Sequence, residues 1–146
     1  MVNREKYENE IIAVDKLGLK CPPDNLSVPK DFPTYRFVFE DKAHIKNHKP
    51  AGKINPKRVL SEKDERKCFL YSLSCFTNKE GAETFFFEVK KNIKNFEKSV
   101  GNWIYGGIIN DRDGLMSTPE ENAHFELFEF TDCDLSAKFE AVKKLI

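Results

Sequence analysis

The clearest pattern in the chain lies between residues 67 and 109, where hydrophobic positions change from strand spacing to helical spacing and back. Residues 68–76 carry hydrophobic side chains on both alternating faces, which predicts a buried β-strand. The next segment repeats hydrophobic residues at helical spacing, which predicts an amphipathic helix over 78–98 with Thr77 as its N-cap. Residues 103–109 predict a second buried strand.

Weaker patterns flank this central unit. Residues 3–17 carry a short hydrophobic stripe that predicts a helix, and four prolines between 21 and 33 predict a connector without regular structure. Residues 34–40 and 123–130 alternate in the manner of strands. A hydrophobic stripe after residue 132 predicts a last helix capped by Asp132 or Asp134. The stripe consists of Leu135, Phe139, Val142 and Leu145.

The resulting order of elements is α, β, β, α, β, β, α, and it predicts the α+β class. We expect one mostly antiparallel sheet with helices packed mainly on one face. A chain of 146 residues is typical of one domain. We therefore expect a single domain over 1–146, with an N-terminal helix and proline-rich connector over 1–33 and a core over 34–146.

The charge composition of the chain limits the kinds of binding partner that we expect. The chain has 24 basic and 24 acidic residues, so its formal net charge is zero, and this argues against nucleic acid as the main partner. The basic residues are densest between 42 and 58, in a segment that predicts a loop. Such a loop is either an ordinary solvated surface loop or a binding loop for an acidic partner, and we expect the partner to be another protein.

The four cysteines contain no C-x-x-C pair, and the N-terminus has no hydrophobic leader. No hydrophobic run is long enough to cross a membrane. These features predict free thiols, a cytoplasmic location and no membrane association.

Metal and cofactor motifs are incomplete. His44 and His48 have a spacing that suits two metal ligands on a helix, but no third ligand is specified. Asp111 and Asp113 resemble the start of a calcium loop whose later ligands are missing. The sequence has no glycine-rich phosphate loop, no G-x-S-x-G elbow and no evident Ser/His/Asp grouping. We expect neither a metal nor a cofactor.

One catalytic arrangement does fit the order of the strands. Arg36 lies on an early strand, Ser72 and Ser74 lie on the next strand, and Glu126 or Glu129 lies on a late strand. This layout resembles that of mono-ADP-ribosyltransferases.

The block from His48 to His124 resembles a poorly characterised family of small bacterial α+β domains. The matching motifs are His48-x-x-x-Gly52-x-Ile54, Arg58 to Ser61, Leu73-Ser74, Trp103 with Gly106-Gly107, and Pro119-x-x-Asn122-Ala123-His124. The resemblance implies the α+β fold but no established activity. It singles out His48, Gly52, Asn122 and His124.

Two functions compete at this point. The first is a non-catalytic, cytosolic protein-interaction module, such as an accessory, immunity or defence component of a bacterial operon. The alternative is a small enzyme or nucleotide-binding domain, either ADP-ribosyltransferase-like or a hydrolase. Its cleft would be lined by Arg36, His48, Tyr71, Ser72 and His124. The sequence leaves open whether the protein is an enzyme, and which oligomer it forms.

Overall fold

A computed structural model describes residues 4–146 and contains a six-stranded antiparallel sheet, so the predicted α+β class is confirmed. The strands are β1 (Phe32–Val38), β2 (Leu73–Phe76), β3 (Trp103–Ile109), β4 (Gly114–Met116), β5 (His124–Glu129) and β6 (Glu140–Lys144). Their order across the sheet is β4-β5-β2-β1-β3-β6. The α-helices are α1 (Glu8–Asp15), α2 (Ala51–Ile54), α3 (Arg58–Ser61), α4 (Lys79–Asn92), α5 (Phe96–Val100) and α6 (Leu135–Lys138).

Both faces of the sheet are covered by hydrophobic side chains. On one face, Phe76 of β2 and Ile104 of β3 pack with Ala82 of α4. The same face carries Phe128 of β5, which packs with Ile11 of α1. The opposite face is closed mainly by the segment around α6. Its buried cluster is Leu73, Cys75, Ile109, Met116, Phe125, Leu127, Cys133, Leu135 and Phe139.

The feature of the sheet that matters most for function is the separation of β1 from β2. The two strands pair only at Tyr35 and Phe76, whereas β1 pairs with β3 along its whole length from Phe32 to Val38. Beyond Tyr35 the strands diverge, and a cleft opens in the middle of the sheet. Pro33 is tolerated in β1 because β2 ends opposite Tyr35, and a missing backbone donor is harmless there.

Several predicted boundaries are wrong. The long helix is broken, because α4 ends at Asn92 and α5 starts at Phe96. The intervening residues include Ile93, which is 53% exposed and does not continue the buried stripe. The N-cap of α4 is Asn78, whose Oδ1 accepts a 2.6 Å hydrogen bond from Gly81 N. Thr77 instead continues the sheet, since its N–H donates to the Ala123 carbonyl.

The predicted strand over 68–76 is only half correct. Residues Cys68–Tyr71 form a 3₁₀ turn, and the strand starts at Leu73. In that turn Cys68 and Tyr71 pack against Ile11 and Val14 of α1. Cys68 also forms a disulfide with Cys21. The prediction of four free thiols is therefore wrong for this pair, while Cys75 and Cys133 are free and buried.

The predicted last helix is also wrong. α6 is a single turn from Leu135 to Lys138, and the chain then forms β6 on the outer edge of β3. All five residues of β6 are exposed. Its lysines and glutamate suit an edge strand, because charged side chains discourage pairing with another sheet.

At the N-terminus, α1 spans Glu8–Asp15, which is shorter than the predicted helix over 3–17. Residues 1–3 lie outside the described part of the chain. Among residues 4–146 there is no helix with the length and hydrophobicity needed to span a membrane.

Candidate functional site

The cleft between β1 and β2 has a volume of about 570 Å³, which lies in the range of small-molecule and cofactor sites. Phe37 and Phe39 form its β1 side, and Ser72 and Ser74 form its β2 side. The third strand from one edge of a sheet would normally be covered. Ser74 is nevertheless exposed, because β1 does not pair with β2 at this position.

Arg36 lies at the point where the strands separate. Its neighbours Tyr35 and Phe37 face α4, so the Arg36 side chain starts on the other face and crosses the gap. Nη1 donates a 2.8 Å hydrogen bond to the Ser74 carbonyl, and Nε donates a 3.2 Å hydrogen bond to His48 Nδ1. Nη2 makes no hydrogen bond to any residue from 4 to 146, while the side chain lines the cleft.

Arg36 is only 8% exposed, and within the described chain it forms no ion pair. A buried charge normally requires a partner, because removing it from water is costly. The cleft therefore offers a guanidinium that is not ion-paired with a carboxylate of the described chain. Guanidinium groups bind phosphate and carboxylate through paired N–H donors, so an anionic ligand group is the natural partner.

His48 orients Arg36 and does not face the cleft. Burial, with Arg36 as a further cause, lowers the pKa of His48 from 6.5 to about 3. The ring is therefore neutral at physiological pH, and Nδ1 serves as an acceptor for Arg36. The backbone of His48 is left-handed, with φ of 54°, a conformation that histidine tolerates better than most residues.

Glu126 of β5 reaches the same cleft, and it lies directly opposite Ser74 in the sheet. Ser72 Oγ lies 2.6 Å from Glu126 Oε2, and Ser117 Oγ accepts a 2.8 Å hydrogen bond from the Glu126 backbone N–H. Burial raises the pKa of Glu126 above its ordinary value, and the hydrogen bond from Ser72 opposes that rise. Ser72 thus holds the carboxyl group at the cleft wall, and Ser117 holds the backbone of the same residue.

The two glutamates that the sequence left open lie on different faces. Glu129 has a buried side chain and forms a 2.7 Å ion pair with Lys6. The wall of the cleft is formed by Glu126 and not by Glu129. Among residues 4–146, the structure therefore brings together Arg36, Ser72, Ser74 and Glu126.

A third polar group adjoins them. His124 Nε2 lies 2.7 Å from Ser74 Oγ, and His124 Nδ1 lies 3.0 Å from Glu120 Oε1. His124 Nε2 also lies 3.3 Å from Glu126 Oε1. Two sets of hydrogen bonds thus meet at Ser74, whose carbonyl accepts from Arg36 and whose hydroxyl contacts His124.

The cleft is bordered by an excess of positive charge. The cationic residues are Arg36, Lys46, Lys49, Arg58, Arg66 and Lys98, and the acidic ones are Glu62 and Glu126. Arg58 pairs with Glu62 at 3.6 Å. In a chain of zero net charge, this local excess favours an anionic ligand.

Three other predicted residues have local structural contacts. Gly52 allows α2 to approach the 3₁₀ turn, because a Cβ there would lie 2.8 Å from Tyr71 Cε1. Tyr71 is buried in the cluster with α1. Asn122 Oδ1 accepts a 3.1 Å hydrogen bond from the His124 backbone N–H. None of these three lines the cleft in the described part of the chain.

The possible metal ligands do not assemble. Across residues 4–146, no group of three or more His, Cys, Asp or Glu side chains is arranged to hold a metal ion. His44 stacks on Phe39 with ring centroids 4.0 Å apart. Asp113 bonds to Lys138 and accepts a 2.7 Å hydrogen bond from Asn110 N, so it stabilises the turn before β4.

Sequence reasoning missed Glu120 and most of the aromatic wall. Glu120 lies four residues before His124 in an apparent turn, and nothing in its local sequence suggests a contact with an imidazole. Phe37, Phe69 and Phe85 looked like core residues, yet all three line the cleft. The only available signal was the alternation in β1, which placed Phe37 with Tyr35 and Phe39 on the face opposite Arg36.

Comparison of the chain with protein-family models, with curated proteins and with solved structures gives no match. The resemblance to a family of small bacterial domains therefore stays a prediction, and functional inference depends on the geometry of the cleft.

Proposed function

We propose that the protein is an ADP-ribosyltransferase-like enzyme that cleaves the nicotinamide–ribose bond of NAD and transfers the ADP-ribosyl group to an acceptor. One observation carries this proposal. A buried arginine without a carboxylate partner and a serine-held glutamate line the same cleft, on either side of the exposed Ser74. The arginine suits the diphosphate of NAD, and the glutamate suits the ribose carbon from which nicotinamide leaves.

Arg36 would bind the diphosphate. Its Nε and Nη1 are fixed by His48 and Ser74, so the direction of the remaining Nη2 donors is also fixed. A preorganised guanidinium loses little conformational entropy on binding an anion. The surrounding lysines raise the local concentration of anions without needing a defined geometry.

Glu126 would act at the ribose. Breaking the bond between ribose C1′ and the nicotinamide nitrogen leaves the electron pair on nicotinamide and positive charge on the sugar. Carboxylates stabilise such oxocarbenium-like states in glycosyl transfer. Ser72 orients the Glu126 carboxylate, and an acceptor oxygen then forms the new bond to C1′. Water as the acceptor would give simple hydrolysis of NAD.

The aromatic wall is consistent with flat rings in the ligand. Phe37, Phe39, Phe69 and Phe85 all border the cleft. Aromatic side chains stack on planar groups such as adenine and nicotinamide. Hydrophobic walls with a few convergent polar groups are typical of sites for small molecules.

The test is nicotinamide release from NAD by the purified full-length chain. We expect release above the rate without protein, and loss of at least about a hundredfold in Glu126→Gln, since a lost charge-stabilising group typically costs this much. Glu121→Gln is the matched control, because Glu121 is exposed and does not line the cleft. An NAD-induced rise in melting temperature checks binding separately. Absence of both binding and release would contradict the proposal.

A second candidate is the protein-interaction module predicted from the sequence. Ile45 in the basic loop and Leu60 in the adjoining helix α3 are exposed, with 75% and 85% of their surfaces accessible. Exposed hydrophobic residues among lysines favour an acidic protein partner. Such a partner would fit an accessory, immunity or defence protein of a bacterial operon. Co-purification from the native host, compared between the wild type and Ile45→Ser/Leu60→Ser, tests this candidate.

The cellular compartment is also a proposal. A cytoplasmic location was predicted in part from free thiols, but Cys21 and Cys68 are joined. Disulfides persist mainly in oxidising compartments. We therefore favour an oxidising compartment over the cytoplasm, and thiol trapping in intact cells tests it. A fully reduced pair in the native host would support the cytoplasmic location.

A further inference from the structure

We propose that Ser74, His124 and Glu120 form a nucleophilic triad, which gives the cleft an acyl-ester hydrolase activity distinct from the NAD chemistry assigned to Glu126. Ser74 Oγ lies 2.7 Å from His124 Nε2, and Glu120 Oε1 lies 3.0 Å from His124 Nδ1. A serine, a histidine bonded through Nε2 and a carboxylate bonded to Nδ1 are the relationships that activate a serine hydroxyl.

Carboxylates lie near both ring nitrogens of His124, with Glu120 Oε1 3.0 Å from Nδ1 and Glu126 Oε1 3.3 Å from Nε2. The shorter contact favours the proton of a neutral His124 on Nδ1, facing Glu120, which is the tautomer that this role requires. The lone pair of Nε2 then faces the Ser74 hydroxyl, which donates to it. Glu126 Oε1, 3.3 Å from Nε2, lies where it can stabilise the imidazolium that forms once His124 has taken the proton.

The His124 ring is held in position by its surroundings. It stacks on Phe85 with centroids 5.8 Å apart and planes 9° apart, and it meets Phe76 edge-on at 5.4 Å. Asn122 fixes its backbone N–H. A base whose rotamer is locked retains its alignment with the nucleophile throughout the reaction.

Ser74 is accessible to a substrate, because the separation of β1 from β2 exposes it within the cleft. The Arg36 guanidinium is bonded to the backbone carbonyl of the same residue and lines the same cleft, so the cleft carries positive charge that favours a developing oxyanion. In the reaction, Oγ bonds to the acyl carbon while its proton moves to His124. The ester C–O bond then breaks, and His124 protonates the departing alkoxide. Water hydrolyses the acyl-serine by the same route.

The test is labelling of the full-length chain by an alkyl fluorophosphonate, with the adduct mapped by mass spectrometry. Ser74 Oγ forms a bond to phosphorus, the P–F bond breaks, fluoride leaves with the electron pair, and the serine proton passes to His124. We expect a single adduct on Ser74. Its rate should fall about a hundredfold or more in His124→Phe, which keeps the stacking but removes the base.

Controls separate this activity from the proposed NAD chemistry. Ser99 is another serine that lines the cleft, and Ser99→Ala is therefore the matched control. It should be labelled at the wild-type rate. Glu126→Gln should abolish nicotinamide release but slow labelling only several-fold, because Glu126 adds negative charge beside the imidazolium and is not the base. Glu120→Gln should also label several-fold more slowly. Hydrolysis of p-nitrophenyl acetate should follow the same ranking. Labelling that is absent from Ser74, or that is unchanged in His124→Phe, would overturn the proposal whatever the outcome with NAD.

Discussion

Arg36 Nη1 donates a 2.8 Å hydrogen bond to the carbonyl oxygen of Ser74, at the place where pairing between β1 and β2 has stopped. A side chain thus satisfies a backbone acceptor that a neighbouring strand would otherwise satisfy. The consequence is that the sheet can open without leaving this carbonyl unpaired. The same guanidinium that stabilises the opening also supplies its positive charge.

The first prediction concerns this double role of Arg36. Arg36→Lys keeps the charge, but an ammonium group cannot contact Ser74 O and His48 Nδ1 and still present a planar pair of donors. We expect NAD affinity to fall at least about tenfold, which corresponds to about 1.4 kcal/mol. Titration calorimetry measures it. Arg58→Lys is the control, because Arg58 lies at the rim and pairs with Glu62. Equal losses in both variants would count against the role of Arg36.

The second prediction concerns the pH dependence of NAD cleavage. The active form of Glu126 is the carboxylate, and burial raises its pKa above the ordinary value of 4.5. Activity should therefore be low in acid and rise as the pH passes this raised pKa. Ser72 donates a hydrogen bond that lowers the pKa, so Ser72→Ala should move the midpoint to higher pH. Ser99→Ala should not move it. The measurement is the rate of nicotinamide release between pH 4 and 9. A midpoint that moves to lower pH in Ser72→Ala would contradict this prediction.

The sequence predicted the class of the fold because its strongest signals are local. The strand over 103–109 is confirmed residue for residue, since Trp103–Ile109 is rich in aromatic and β-branched residues and ends at a turn of Asn and Asp. The last helix was mispredicted because Leu135 and Phe139 have helical spacing, yet both pack against the far side of the sheet. Residues 140–144 form a strand because they pair with the edge of β3, which is a tertiary contact that the local sequence does not specify.

The candidate site was predictable in its strand-borne part only. Arg36 and Glu126 lie on strands whose order could be inferred, Ser72 directly precedes β2, and the three converge. The sequence also predicted His48 as a cleft residue. His48 does not face the cleft, because its position depends on a loop conformation with positive φ that the sequence does not specify. Glu120 was missed because its contact with His124 depends on the turn that precedes β5.

The third prediction concerns acid stability. The pKa of His48 falls from 6.5 to about 3 on folding, so the unfolded chain binds this proton more readily than the folded chain. Stability from this residue is present above about pH 6.5 and is lost as the pH falls towards 3, by at most about 1.4 kcal/mol per pH unit. Asn tolerates positive φ and does not titrate, so His48→Asn should flatten this loss. Urea unfolding at pH 4 and pH 7 tests it, and an equal loss in wild type and variant would refute it.

The fourth prediction links the disulfide to the cleft. Cys68 opens the 3₁₀ turn that leads directly to Ser72, and Cys21 ties this turn to the segment after α1. The bond spans 47 residues, and closing a loop of that size in the unfolded chain is worth at most about 4 kcal/mol. Dithiothreitol should therefore lower the melting temperature of the wild type and weaken NAD cleavage. Cys21→Ser/Cys68→Ser should show both defects from the start and no response to the reductant. If the double variant cleaves NAD at the wild-type rate while its melting temperature falls, the disulfide stabilises the fold without positioning Ser72.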